Sequence, residues 1–316
     1  MTTYDGTDDF EGVITSDQLN KTVMWRGTAL PVGAANKIPQ NGTFLLVDSL
    51  SAPTLGTLYV QTSATLSTPS FVEIPLTTAS TTRLLFGLKA YWKFNEASGD
   101  IENQSISEAK LGVAADLQTS GVTYSETGKI GNAVTLDGTN DHMVAGSSLS
   151  QFNFLHNTTY EFTISFWAKI LNWAGTDMII DTASDISSST VGLGIRTVST
   201  DGILIHFSNG TNMNRFATTV TGFNTDGAYH HYVITGKKSD TTNSMEIWED
   251  GVSMGSASNS GKNFVDTNAT KALYFGQTGA SSQYLNMTID EAAIWSRRLS
   301  DTEIALVHNS GSGIEL

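Results

Sequence analysis

The sequence predicts an all-β protein: a two-sheet antiparallel sandwich preceded by an extended arm and a small β-sheet domain. Three observations carry that expectation. Apolar residues recur with period two, as in Thr163–Ile170, where Ile164, Phe166, Ala168 and Ile170 fall on one side and Trp167 and Lys169 on the other. Such segments are separated by polar turns rich in Ser, Thr and Asn, with 29 glycines in the chain. The 316 residues, 39% of them hydrophobic, suffice for the core of one large domain with a smaller one beside it.

From the N-terminus, residues 1–40 scatter Phe10, Val13, Ile14, Leu19, Val23, Trp25 and Leu30 among Thr, Asp and Gly without a period, and are expected to form an extended arm. Residues 41–76 contain three strand patterns, Thr43–Asp48, Thr57–Thr62 and Ser70–Ile74. Three strands bury little on their own. Trp25, Phe44, Leu46, Leu58, Val60, Phe71 and Ile74 are therefore expected to dock on a neighbour. Residues 77–87, opening on Thr77–Thr82, read as a linker, and the sandwich occupies 88–316.

Within the sandwich, Met245, Ile247 and Glu249 alternate with Glu246, Trp248 and Asp250, and Asp250-Gly251 is a hairpin turn. The run Leu285–Ile304 begins as a strand with Met287, Ile289, Glu291, Ala293 and Trp295 on one face. It then turns into a helix. Ser300 and Glu303 form a reciprocal capping box, Ile304 and Val307 anchor the helix, and Gly311 ends it.

This closing pattern, an Ile-Asp-Glu strand followed by an Arg-x-Leu-Ser helix start, resembles that of laminin-G-like (concanavalin A-like) jelly-roll domains. Leu88–Gly99, Gly128–Asp141, Phe162–Lys169, Tyr229–Thr235 and Met245–Gly255 resemble the family's earlier blocks, in the family's order, so that the likeness runs from about Leu88 to Gly311. The resemblance implies a jelly roll that binds glycans where it is not catalytic, and a structural calcium near one end. The calcium candidates are Glu96, Asp137, Asn140, Asp141 and Asp290, although the loop Ile101–Glu108 departs from the family's usual ligand pattern. The competing reading of the turn acids is as Asx turns and of Asp290 as a partner for backbone amides.

Catalysis finds little support in the residues. A glycosidase of this architecture needs alternating acids on one strand face, and the nearest cluster puts Glu246 and Glu249 on opposite faces. His230 and His231 are adjacent on a strand, so they point apart and cannot chelate one metal. A packed or hydrogen-bonded role is expected for the pair. For sugar binding, Trp167, Trp173, Tyr229 and Trp248 are the candidate platform, with Asn172, Asp177 and Asn212 as polar neighbours.

Thirty-one acidic against 17 basic residues give a net charge of −14, which repels a phosphate backbone and argues against nucleic acid. There is no cysteine, no apolar run of membrane-spanning length, and no secretory pattern in Met1–Phe10. A surface-type domain without a visible export route suggests a non-enzymatic virion surface protein of a tailed virus, made in the host cytoplasm, as a head decoration or fibre component. Its expected partners are capsid or tail proteins, further copies in a homo-oligomer such as a trimer, and cell-surface glycans. The alternative is an extracellular carbohydrate-binding adhesin or lectin of a cellular organism.

Overall fold

The structure is a computed structural model describing residues 81–316 apart from 106–110, 112–114, 147, 173–175, 185–188, 199–201 and 218–225; of residues 1–80 it describes four strand backbones. The chain divides into two units, Met1–Ser80 and Thr81–Leu316.

The first unit holds one sheet, β1 (Val23–Trp25), β2 (Thr43–Leu46), β3 (Leu58–Gln61) and β4 (Phe71–Ile74), in that order. The three expected strands are present, and β1, inside the stretch expected as an arm, adds itself parallel to β2. Register places Phe44 opposite Tyr59, but Leu58 opposite Leu45 and Ile74. The side chains expected to dock, Trp25, Phe44, Leu46, Leu58, Val60, Phe71 and Ile74, lie outside the described residues.

The second unit is the sandwich. Its strands are β5 (Leu88–Trp92), β6 (Leu117–Ser120), β7 (Thr123–Thr127), β8 (Asn132–Asp137), β9 (His142–Ala145), β10 (Glu161–Asn172), β11 (Met178–Asp181) and β12 (Val191–Val198), followed by β13 (Gly202–Asn209), β14 (Met213–Ala217), β15 (His230–Lys237), β16 (Met245–Glu249), β17 (Val252–Ala257), β18 (Leu273–Phe275) and β19 (Asn286–Trp295). One sheet runs β17-β16-β15-β10-β19-β8-β7 with β5 also on β19, making eight strands; the other runs β14-β13-β12-β11-β18-β9-β6. Pairing in both is antiparallel. Ile164, Phe166, Ala168 and Ile170 enter the core between the sheets, as their alternation predicts, against Leu193, Ile195, Ile205 and Phe207. At the β16–β17 hairpin Asp250 (φ 49°) and Gly251 (φ 77°) are both left-handed, the geometry a tight Asp-Gly turn demands.

The last strand departs from simple alternation. Glu291 has φ 49°, and the register with β10 slips between Ser165↔Ala293 and Trp167↔Asp290. This bulge swaps the faces: Met287 and Ile289 lie in the core before it, and Ala292 and Ile294 after it. Ala293 and Trp295, expected on the same face as Met287, instead point outward into a second apolar cluster with Leu84, Leu88, Val233, Trp248, Ile304 and Val307.

That cluster makes a third layer on the eight-stranded sheet. It is built by α1 (Thr81–Leu84), the C-terminal helix α2 (Asp301–His308) and the residues after it. Ser300 caps α2 as expected: its side chain accepts from the Glu303 N–H while the Glu303 carboxylate accepts from the Ser300 N–H. Burial alone would raise the Glu303 carboxyl, but Arg297, bonded to it at 2.8 and 2.9 Å, and the Ser300 N–H hold it below its usual range. The expected linker ends earlier than 87, because Leu84 is fully buried, its carbonyl accepts from Trp295 Nε1 at 2.5 Å, and the Phe86 carbonyl accepts from Arg297 Nε.

Candidate functional site

The expected sugar platform is not assembled. Trp167 is 2% exposed and Trp248 8%, both on the outer face of the eight-stranded sheet under the third layer. The Trp167 ring stacks on His231 (centroids 4.9 Å) and His308 (5.6 Å), with the Lys129 ammonium 4.4 Å from its centroid. Neither indole offers a face to a sugar. Tyr229 is half-buried; Lys169 lies 4.6 Å over its ring, its hydroxyl donates to the Thr127 carbonyl, and burial raises its pKa. Trp173 and the side chain of Asn172 lie outside the described residues. Asp177 and Asn212 belong to the other sheet, and at opposite ends of it. Asp177 pairs with Thr197, whereas Asn212 follows β13, whose Asn209 faces Val191. Six residues of strand separate those positions, about 20 Å.

The calcium candidates are likewise turned to local backbone. Asp137 Oδ1 accepts from the Thr139 and Asn140 N–H groups, and Asp141 Oδ2 from the Asp137 N–H. Glu96 accepts from the Glu102 N–H, and Asp290, fully buried, from the Ile130 N–H at 2.9 Å. These are the Asx-turn and amide-capping roles, and no group of three or more metal-capable His, Asp or Glu side chains occurs among the described residues.

Acidic pairs that could serve in hydrolysis are also committed elsewhere. Glu246, on the outer face of β16, binds Arg298 and accepts from Ser253 Oγ, while Glu249 points the opposite way and is buried, which raises its carboxyl. Asp290 and Glu291 sit together at the bulge, pushed up to about 7 and about 8 chiefly by burial, with the Tyr91 hydroxyl donating to Glu291. Both are covered, at 0% and 5% exposure. The histidine pair is structural, as its spacing implies. His231 is buried, bonds Ser165 Oγ at 2.8 Å, and is driven to about 3 by burial and by His308; His230 pairs with Asp250 and Asp226, which together outweigh burial and raise it.

What remains is the outer face of the seven-stranded sheet, and it has a different character. Leu193 and Ile195 face the core, so Gly194 and Arg196 face out. Register aligns Asp181, Gly194, His206 and Arg215 in one row across β11 to β14, and Met178, Arg196, Leu204 and Ala217 in the next. The His206 ring lies directly on Gly194, where a Cβ would fall 2.1 Å from its Cε1, so only glycine fits there. Asp181 spends its carboxylate on the Ala183, Ser184 and Gly279 N–H groups at 2.9–3.0 Å. Arg196 is 6% exposed, and among the described residues neither it nor the exposed Arg215 has a carboxylate partner. Burial first, and Arg215 second, lower the Arg196 pKa. The sequence signal for this row was the alternation within Val191–Val198, which sets Arg196 opposite the apolar side.

Comparison with known proteins agrees with the architecture. Residues 137–305 match a family model described as the concanavalin A-like lectin/glucanases superfamily. No curated protein sequence matches the chain. Among solved structures, the binding domain of Paraclostridial Mosquitocidal Protein 1 is similar at 16% identity and a TM-score of 0.52, over 72% of this chain and 53% of that one. Botulinum neurotoxin type C, described as dependent on two ganglioside molecules for entering cells, is similar at 15% identity and a TM-score of 0.51, over 73% and 53%. The binding domain of botulinum neurotoxin DC, solved with rat synaptotagmin II, is similar at 16% identity and a TM-score of 0.50, over 72% and 52%. The chain spans about half the length of these structures, and at such identities the likeness is one of fold.

Proposed function

Because the chain belongs to the concanavalin A-like lectin/glucanases superfamily, we propose that it is a non-enzymatic glycan-binding protein that presents its jelly roll at a surface and is anchored through residues 1–80. The observation that carries the reading is the contrast between the sheets: the outer face of one is covered by an apolar layer, while that of the other carries two cations, Arg196 at 6% exposure and the exposed Arg215, over a buried His206. Polar groups on a rigid sheet are what recognition of hydroxylated ligands uses. The bonds that hold Glu246, Asp290 and Glu291, and the burial of Glu249, favour binding over hydrolysis. Binding of full-length protein to a glycan array, without turnover of β-glucans, chitin or bacterial polysaccharides, is the expected result. An array without signal, or turnover lost in Glu246→Gln or Glu249→Gln, would overturn it.

The anchoring half of the reading is supported by the small sheet, whose four strands are three or four residues long and too short to bury a core of their own. The particle we favour is a tailed virion, with the chain as head decoration or fibre component beside capsid or tail proteins or in a homo-oligomer. Mass spectrometry of purified particles tests this, and a variant lacking residues 1–80 that still incorporates at normal occupancy rules the anchor out. Among the described residues no helix is long and apolar enough to cross a membrane.

A further inference from the structure

We infer that the outer face of the seven-stranded sheet holds an anion site centred on Arg196 and Arg215, and that the glycans recognised there are acidic, bearing a carboxylate or a sulfate. The inference rests on the glycan-binding reading and narrows it to a ligand class.

Arg196 supplies the main observation. Arg196 is 6% exposed, yet its buried Nε has no hydrogen-bond partner among the described residues. A guanidinium removed from water ordinarily finds a carboxylate or carbonyl, since leaving it unpaired is strongly unfavourable. Here the neighbours that register places beside it, Met178 and Leu204, are apolar. Asp181, in the next row, is bonded to three backbone amides.

Arg215 supplies the second. It stands exposed at the end of the adjacent row, with Nε donating only to Met213 Sδ at 3.3 Å, and its charge reaches Arg196. These two like charges on one face repel each other, and among the described residues neither has a carboxylate partner. Both features are resolved by one ligand: a planar carboxylate or tetrahedral sulfate accepts from both guanidiniums, whose fork of donors matches either shape. The His206 ring seated on Gly194 lies in the row of Arg215, on the strand between the two arginines.

The test uses full-length protein on an array that carries each neutral glycan beside its sialylated, uronic-acid and sulfated counterparts, with wild type, Arg196→Met and Arg215→Ala compared. The acidic members should bind more tightly than their neutral parents by roughly tenfold or more, the preference weakening with salt. Arg215→Ala should reduce it with the melting temperature unchanged. Arg196→Met should abolish it while the melting temperature holds or rises, because the substitution removes a buried unpaired charge at similar volume. The sialylated, uronic and sulfated arms tell carboxylate from sulfate. A parallel thermal scan in sodium sulfate reads the bare anion site: sulfate stabilises most proteins generally, so the quantity of interest is the extra shift of wild type over Arg196→Met. Neutral and acidic glycans bound equally would overturn the inference and leave glycan binding standing. An array without any signal would remove the glycan reading instead, and equal sulfate shifts in wild type and Arg196→Met would then remove the anion site as well.

Discussion

The two outer faces of the sandwich begin from the same rule, alternate residues of antiparallel strands pointing away from the core, and end in opposite states. On the eight-stranded sheet Thr163, Ser165, Trp167, Val233 and Trp295 are buried beneath α1, α2 and the C-terminal residues. Thr163 Oγ1 donates to the Arg297 carbonyl and accepts from the Leu299 N–H, and Ser165 bonds His231, while Trp248 Nε1, Thr235 Oγ1 and His231 Nδ1 are buried without a partner among the described residues. On the seven-stranded sheet Arg196 is buried to a similar degree and has none among the described residues. The groups left unpaired on β15 and β16 of the first face are neutral, whereas Arg196 carries a charge, whose unpaired burial is the costlier.

The difference can be broken from either side, and the largest effect is expected on the sealed face. Trp295→Ala should destabilise the domain by about 3–5 kcal/mol, since the indole is fully buried and bonded to the Leu84 carbonyl; denaturant unfolding measures it. Trp167→Ala should likewise cost stability before it touches glycan binding. A Trp167→Ala protein that melts normally but loses array signal would reverse the assignment of the two faces.

The pH dependence should come next and should also belong to the sealed face. Asp290 and Glu291 sit near 7 and 8 in the folded state, against roughly 4 for exposed carboxyls. Raised folded values mean that the native state binds more protons, so their contribution is fully present below about pH 4 and is lost as pH rises through 7 to 8. Asp290→Asn, which keeps the acceptor for the Ile130 N–H, should flatten that limb. His231 has the opposite sign: with its folded pKa near 3, its contribution holds above about pH 6.5 and is lost as pH falls towards 3. His231→Asn should flatten the acid limb, and melting temperatures across the range read both.

Smaller effects sharpen the comparison. Ser300→Ala removes the cap of α2 and should cost about 1 kcal/mol. Asn212→Ala, on an exposed turn, should stay within about 0.5 kcal/mol and leave array binding intact. Calcium should not shift the melting curve, since Asp137 and Asp290 already accept from backbone amides; a ligand-dependent rise would restore the calcium site.

Much of this was legible in the chain itself. The core side of β10, the Asp-Gly hairpin and the capping box at Ser300 and Glu303 all depend on neighbours within a few residues, and all appear where the sequence puts them. The candidate site was less legible. Trp167, Tyr229 and Trp248 looked available because alternation turned them from the core, and a strand pattern carries no record of what covers its outer face. The bulge at Glu291 was hidden for a related reason: a non-glycine residue in a left-handed conformation leaves no mark in the pattern, and it exchanges the faces of every residue beyond it.

The sequence by itself therefore determined the fold class, the family and the local caps and turns, because each is written in short-range periodicity and in side chains that bond their own backbone. Only the tertiary structure decided what each outer face carries. Sealing the first depends on His308, Ile304 and Val307 returning over Trp167 and Val233 from the far end of the chain. The second is defined by Arg196 and Arg215, brought into adjacent rows by the register of β12, β13 and β14. Contacts between such distant segments follow from how the strands pair, a property of the whole sheet that no single segment contains.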